Sequence, residues 1–116
     1  MTSYKESNTI EVRLDEASKI IKKYPDKIPV IIQKSSMDKS LPVIDRNKYL
    51  IPRELLVGQL VHIVKKRIHI TAEQAIFLFC NNNIITSGTT IGELYNNYKD
   101  SDGFLYIDYT SENTFG

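Results

Sequence analysis

The group best placed to do chemistry in these 116 residues is an unhindered carboxylate. Gly116 closes the chain behind the run Thr110-Ser111-Glu112-Asn113-Thr114-Phe115. Without a Cβ it offers the least crowded acyl group a polypeptide can present to an activating enzyme, and pliable neighbours let it enter a narrow site. Glycine is also about 7% of average protein sequence, so a frayed end accounts for a terminal glycine until the preceding residues are read. The other reactive side chains point away from catalysis. Cys80 ends the apolar run Ala75-Ile76-Phe77-Leu78-Phe79-Cys80, the setting of a buried structural thiol rather than a nucleophile. His62 and His69 stand seven apart, not at the four-residue spacing that would turn two ligands toward one metal, so packing or surface roles are expected. With no acid–base pair and no ligand cluster, the sequence implies neither an enzyme nor a bound cofactor.

These groups must be carried by a fold, and hydrophobic periodicity outlines it. Asp102-Gly103 is a turn signal; after it Leu105, Ile107 and Tyr109 fall on one face of a strand and Phe104, Tyr106 and Asp108 on the other. Upstream, Ile10, Leu14, Ala17, Ile20, Ile21 and Tyr24 have helical spacing, with Asn8 and Glu11 as a capping-box-like start and Pro25 as the stop. Residues 27–33 read as a strand in which Pro29 requires an early or edge position, because proline has no N–H to donate. Residues 35–40 read as a loop, and Tyr49-Leu50-Ile51 as a short strand closed by Pro52. Leu55, Leu56, Leu60, Ile63, Val64 and Ile68 mark the strongest helix, with Lys65, Lys66 and Arg67 where the helix dipole favours cations. After a turn at 71–74, the strand Ala75–Cys80 is apolar throughout and is expected to be central. Asn81-Asn82-Asn83 turns the chain, Ile84-Ile85 adds a short strand, and Thr90 caps a helix carrying Ile91, Leu94, Tyr95 and Tyr98. This order specifies an α+β roll with the last strand lying centrally, beside the first.

Size and charge narrow the possibilities. A chain of this length forms one domain and buries roughly two-thirds of its surface without staples. The net charge of +1 conceals an asymmetry: residues 1–70 hold 14 Lys/Arg against 8 Asp/Glu, and 71–116 hold 1 against 6. Such a surface suits acidic peptides or anionic lipid on one side, or is simply solvated on both. Lys65-Lys66-Arg67 is too short a basic stripe for nucleic acid. No run nears the ~20 apolar residues of a membrane span, and no signal-peptide core is present. A soluble protein of a reducing compartment is expected.

The element order combines with particular residues: Ile28-Pro29-Val30-Ile31, Lys48-Tyr49-Leu50-Ile51-Pro52, Val57-Gly58-Gln59, Lys66-Arg67-Ile68, Ala75-Ile76-Phe77, Asp102-Gly103-Phe104-Leu105-Tyr106 and Glu112-Asn113-Thr114-Phe115-Gly116. Together they closely resemble the autophagy ubiquitin-like modifiers, the GABARAP-like family, from about residue 10 onward. The resemblance implies a ubiquitin-like β-grasp roll with additional N-terminal helix or helices: an N-terminal helical part over 1–26, a β-grasp core over 27–110 and a conjugation tail over 111–116. The loop around Met37 is one residue longer than in many members.

The resemblance also implies function. Gly116 would be joined to phosphatidylethanolamine on autophagosomal membranes through E1-like and E2-like enzymes, after a cysteine protease processes the precursor and before it releases the conjugate. That protease would touch Phe77 and Phe79. Cargo receptors and adaptors would dock aromatic-x-x-aliphatic motifs on the edge of the second strand by β-augmentation. Glu16, Ile20, Pro29, Ile31, Lys48, Leu50 and Phe104 would form the aromatic pocket; Tyr49, Ile51, Pro52, Leu55, Leu60 and Ile63 would form the aliphatic one. Read without the resemblance, Ile20, Leu50, Ile63 and Phe104 fit a core equally well. The protein would be cytoplasmic until lipid holds it on a membrane. The alternative is an unconjugated soluble adaptor for peptides or cytoskeletal proteins.

Overall fold

A computed structural model describes residues 3–111. The elements in chain order are α1 (Tyr4–Ser7), α2 (Ile10–Lys23), β1 (Lys27–Lys34), β2 (Lys48–Pro52), α3 (Val57–Arg67), β3 (Phe77–Cys80), β4 (Asn83–Ile84), α4 (Ile91–Tyr98) and β5 (Leu105–Thr110). The strands form one mixed sheet in the order β2-β1-β5-β3-β4. β5 runs parallel to β1, with Val30 opposite Leu105, and antiparallel to β3, with Leu78 opposite Tyr109. The last strand therefore does lie beside the first. Pro29 sits early in β1 as its missing N–H demands: pairing with β5 begins only at the next residue.

The period-two pattern of β5 divides the molecule into two layers. Leu105, Ile107 and Tyr109 are buried against α3 and α4, in a cluster that includes Val30, Leu60, Val64 and Ile91. Phe104 is buried on the opposite side with Tyr4, Ala17 and Ile31, beneath α1 and α2. Local chemistry fixes the helix starts. Thr90 caps α4 in a capping box with Glu93, and Ser3 caps α1 in another with Glu6. Asn81 and Asn82 take positive φ of 49° and 64°, the conformation a tight hairpin between β3 and β4 requires.

Four expectations need correction. α2 is capped by Thr9, whose hydroxyl accepts from the Val12 N–H, not by Asn8; Asn8 instead donates its side-chain amide to the Tyr4 carbonyl and ties α1 to α2. α3 starts at Val57, so Leu55 and Leu56 precede it, and the Gln59 side chain accepts from the Leu56 N–H. β3 begins at Phe77 rather than Ala75; it is an interior strand, paired with β5 on one side and with the two-residue β4 on the other. The helical face of α2 is also displaced. Ile10, Leu14, Ile21 and Tyr24 are exposed, and the residues turned inward are Arg13, Glu16, Ala17 and Ile20. The physical reason is polar: Arg13 reaches the fully buried Asp102 at 2.8 Å, and that ion pair rolls the helix toward its charged side.

The junction beneath α2 is tight. Gly103 adopts φ +93°, and a Cβ there would lie 2.9 Å from the Ala17 Cβ, so a glycine is required by both backbone and neighbour. Asp102 also accepts from the Phe104 N–H at 2.8 Å and from the Tyr106 hydroxyl, joining the turn to the start of β5.

Candidate functional site

β2 lies at the edge of the sheet, and among the described residues no strand pairs with its outer side. Its orientation follows from one hydrogen bond. The Asn47 carbonyl turns inward to accept from the Ile32 N–H at 2.8 Å, so alternation turns the backbone N–H and C=O of Lys48 and Leu50 outward. The side chains alternate as well, Lys48 and Leu50 toward the α2 layer, Tyr49 and Ile51 toward the α3 layer. One short strand thus offers an unpaired backbone edge between two differently built faces.

On the α2 side, Ile31 and Phe104 are fully buried, and Ile20 packs against them with part of its surface exposed. The Tyr4 ring meets Phe104 edge-on at 5.4 Å, sealing the rear of this cluster. Glu16 of α2 and Lys48 of β2 form an ion pair that joins the two elements. Glu16 also accepts from the Tyr4 hydroxyl at 3.1 Å, and the Lys48 ammonium lies 5.5 Å from the Tyr4 ring centre. Burial and the Glu16 hydrogen bond push the Tyr4 phenol up to about 12, so it stays a neutral donor across the physiological range. Pro29 is buried opposite the exposed Leu50, two residues along from the Ile31–Lys48 pair on the same face. The seven residues named for the aromatic pocket therefore fall on one side of the sheet. Tyr4 is the member that sequence reasoning missed; the Ser3-to-Glu6 capping box was the available signal that α1 exists to carry it.

On the α3 side the arrangement is firmer. Ile51 and Leu60 belong to the main core, with Tyr49 and Leu55 packed against it. Ile63 and Pro52 are exposed. Arg67, at the end of α3, places its guanidinium 6.0 Å from the Tyr49 ring centre and pairs with Asp45 at 3.3 Å. Leu60 and Ile51 thus act as floor, and Ile63 is the accessible apolar group.

The remaining candidates lie elsewhere. Phe77 and Phe79 stand on β3, across β5 from β1, with Phe79 buried opposite Asp108. Gly116 lies outside the described residues. Cys80 is buried, and burial pushes its thiol up to about 12. His62 and His69 are both exposed, and among the described residues no group of three His, Cys, Asp or Glu side chains could hold a metal. A groove of about 910 Å³ runs along the end of β1 beyond its pairing with β2. It is lined largely by polar and charged side chains, including Gln33, Lys34, Arg46 and Asp108, and is separate from both apolar faces of β2. No helix among the described residues is long and apolar enough to cross a membrane.

A mixed sheet with β5 between β1 and β3, and helices packed across it, defines a ubiquitin-like protein. Residues 12–116 match the family described as Autophagy protein Atg8 ubiquitin like. Autophagy-related protein 8a of Arabidopsis thaliana is 48% identical over 115 residues, covering 99% of this chain and 93% of that one. Autophagy-related protein 8B of Oryza sativa subsp. japonica is 45% identical over 115 residues, covering 99% and 96%. The crystal structure of Trypanosoma brucei ATG8 superposes with a TM-score of 0.89 at 39% identity, covering 100% of this chain and 99% of that one. The chain belongs to the Atg8 family of autophagy ubiquitin-like proteins.

Proposed function

We propose that this protein is a lipid-conjugated modifier that docks short peptide motifs along β2. The observation that carries the docking reading is the position of β2 at the sheet edge, with outward backbone groups flanked by two apolar faces. In an added strand, side chains at positions i and i+3 point to opposite sides of the sheet. An aromatic-x-x-aliphatic peptide paired with Lys48 and Leu50 would therefore send its aromatic group toward Ile20, Ile31 and Phe104. Its aliphatic group would go toward Tyr49, Leu55 and Ile63. The three-residue spacing is thus a consequence of an edge strand with one apolar site on each side. Burying each anchor is worth roughly 1.5–3 kcal/mol, which after ordering costs gives affinities on the order of micromolar.

For conjugation, membership of the family and the resemblance of the Glu112–Gly116 tail support Gly116 as the acyl donor. Its carboxylate is activated at the expense of ATP and held as a thioester on an enzyme cysteine. The amine of phosphatidylethanolamine then attacks the carbonyl, forming an amide and releasing the thiol. The chain supplies the acyl group and no catalyst; a buried Cys80 with a raised pKa is poorly suited to be a nucleophile. E1-like and E2-like enzymes and a processing cysteine protease contacting Phe77 and Phe79 are the corresponding partners. The protein would move from cytoplasm to autophagosomal membrane on lipidation.

The test combines purified or lysate conjugation enzymes, ATP and phosphatidylethanolamine liposomes with mass spectrometry. Wild type should gain one lipid mass and Gly116→Ala none, while both bind an aromatic-x-x-aliphatic peptide equally. Leu50→Ala should weaken that peptide by about tenfold. If wild type stays unmodified while a control modifier is lipidated, the unconjugated adaptor replaces the modifier reading; if Leu50→Ala binds normally, the docking edge is wrong.

A further inference from the structure

Asp38 is a buried carboxylate in the exposed loop between β1 and β2, flanked by the exposed Met37 and Lys39. Its two oxygens serve two different parts of the chain. Oδ1 accepts from the Ser40 N–H at 2.9 Å, the Leu41 N–H at 2.8 Å and the Ser40 hydroxyl at 3.4 Å, all within its own loop. Oδ2 accepts from the Ser111 N–H at 2.6 Å, the Ser111 hydroxyl at 2.6 Å and the Thr110 hydroxyl at 3.1 Å, at the very end of β5. The donors are all neutral dipoles. Burial pushes the Asp38 carboxyl up, but the hydrogen bonds from Ser111, Leu41 and Ser40 outweigh it and hold the group well below the usual carboxylate range. Tyr109 reinforces the same junction: its hydroxyl donates to the Pro42 carbonyl at 2.6 Å and accepts from the Ile44 N–H at 2.8 Å.

Resting on the reading of Gly116 as the conjugated residue, we infer that Asp38 is a positioning residue for the C-terminal tail: its carboxylate staples Thr110 and Ser111 to the β1–β2 loop and so fixes where the tail leaves the body. The staple sets the reach of the terminal carboxylate. Five residues follow Ser111, and fully extended they span roughly 17 Å. Releasing Ser111 would add one residue, roughly 3.5 Å more, while Thr110 stays paired with Phe77 in the sheet. The volume within reach of Gly116 would then grow by roughly 1.7-fold, and its effective concentration at a fixed acceptor would fall to match. Lost direction adds to lost concentration. A loop some seventy residues upstream would thereby tune transfer without touching the reacting atoms.

The experiment measures kcat/KM of phosphatidylethanolamine conjugation for wild type, Asp38→Ala and Ser111→Ala, together with peptide affinity at β2 and thermal melting. Asp38→Ala should lose roughly two- to fivefold in kcat/KM, with peptide affinity within about twofold, at a temperature where every variant is folded. Ser111→Ala removes one donor at the surface, keeps the fold, and should show a smaller loss in the same direction. The decisive readout is tail length. Deleting Asn113 should slow wild type severely but cost Asp38→Ala much less, because the freed Ser111 supplies the one residue of missing reach. Equal cost of that deletion in both backgrounds, or unchanged kcat/KM in both Asp38→Ala and Ser111→Ala, overturns the positioning role while leaving lipidation intact. Failure of wild type to be lipidated overturns the modifier reading itself.

Discussion

The two layers on either side of the sheet are held by different forces. Among the described residues, twenty buried side chains form the α3/α4 layer, whereas four, Tyr4, Ala17, Ile31 and Phe104, form the α1/α2 layer. The smaller layer compensates with charge. Arg13–Asp102, Lys5–Asp100 and Glu16–Lys48 each tie an N-terminal helix to the sheet or to the turn before β5. Apolar area fixes one layer in place, and a few directional bonds orient the other. That contrast separates the two sides of the proposed docking edge, since its aliphatic side rests on a packed floor and its aromatic side on helices that ion pairs steer.

Substitutions should break this contrast in a definite order. Ile107→Ala, in the middle of the larger core, should cost about 4 kcal/mol in denaturant unfolding, the scale of a large-to-small change at a site that cannot collapse. Arg13→Ala should follow at about 3 kcal/mol, because it strands the fully buried Asp102 without its cation. A loss below about 1 kcal/mol would show that the Phe104 amide and Tyr106 hydroxyl satisfy Asp102 alone, and the layers would then differ less than their composition suggests. Lys5→Ala removes a half-exposed partner of Asp100 and should cost only about 0.5 kcal/mol, shrinking further in high salt.

The last effect has the opposite sign. Burial raises the Asp108 carboxyl, and no hydrogen bond to it is seen among the described residues. A raised folded-state pKa means full stability below the usual carboxylate range and a loss as pH rises through the folded value. Asp108→Asn should therefore be slightly more stable than wild type at pH 7, by about 0.5 kcal/mol, and indistinguishable at pH 3. Melting curves at both pH values check it; equal stability at pH 7 would mean that water already solvates the carboxylate.

The apolar layer was legible in the sequence because nothing else competes with periodicity there. The alternation Leu105, Ile107, Tyr109 and the helical spacing of Leu60 and Val64 both landed in the main core, and the helix cap at Thr90 and the turn at Asn81-Asn82 followed from local chemistry. The smaller layer was harder to read. Hydrophobic spacing assigned Ile10, Leu14, Ile21 and Tyr24 to the inner face of α2, but a buried aspartate nearly ninety residues away turned Arg13 inward instead. No local pattern carries that information. The Asp38 junction escaped for the same reason: Ser-Ser-Met-Asp-Lys-Ser reads as an ordinary polar loop until the far end of the chain is laid against it. The residues of the aromatic side were gathered by resemblance, and spacing alone left Ile20 and Phe104 indistinguishable from core.

The placement of β5 between β1 and β3 has a consequence for how the protein is made. A ribosome delivers Val30 long before Leu105, the residue it must lie beside, so the sheet waits with a gap at its centre until the last strand emerges. Any product broken off before that strand leaves β1 and β3 with no neighbour between them and both exposed to proteolysis. Completion of the sheet therefore reports that translation has run through residue 110.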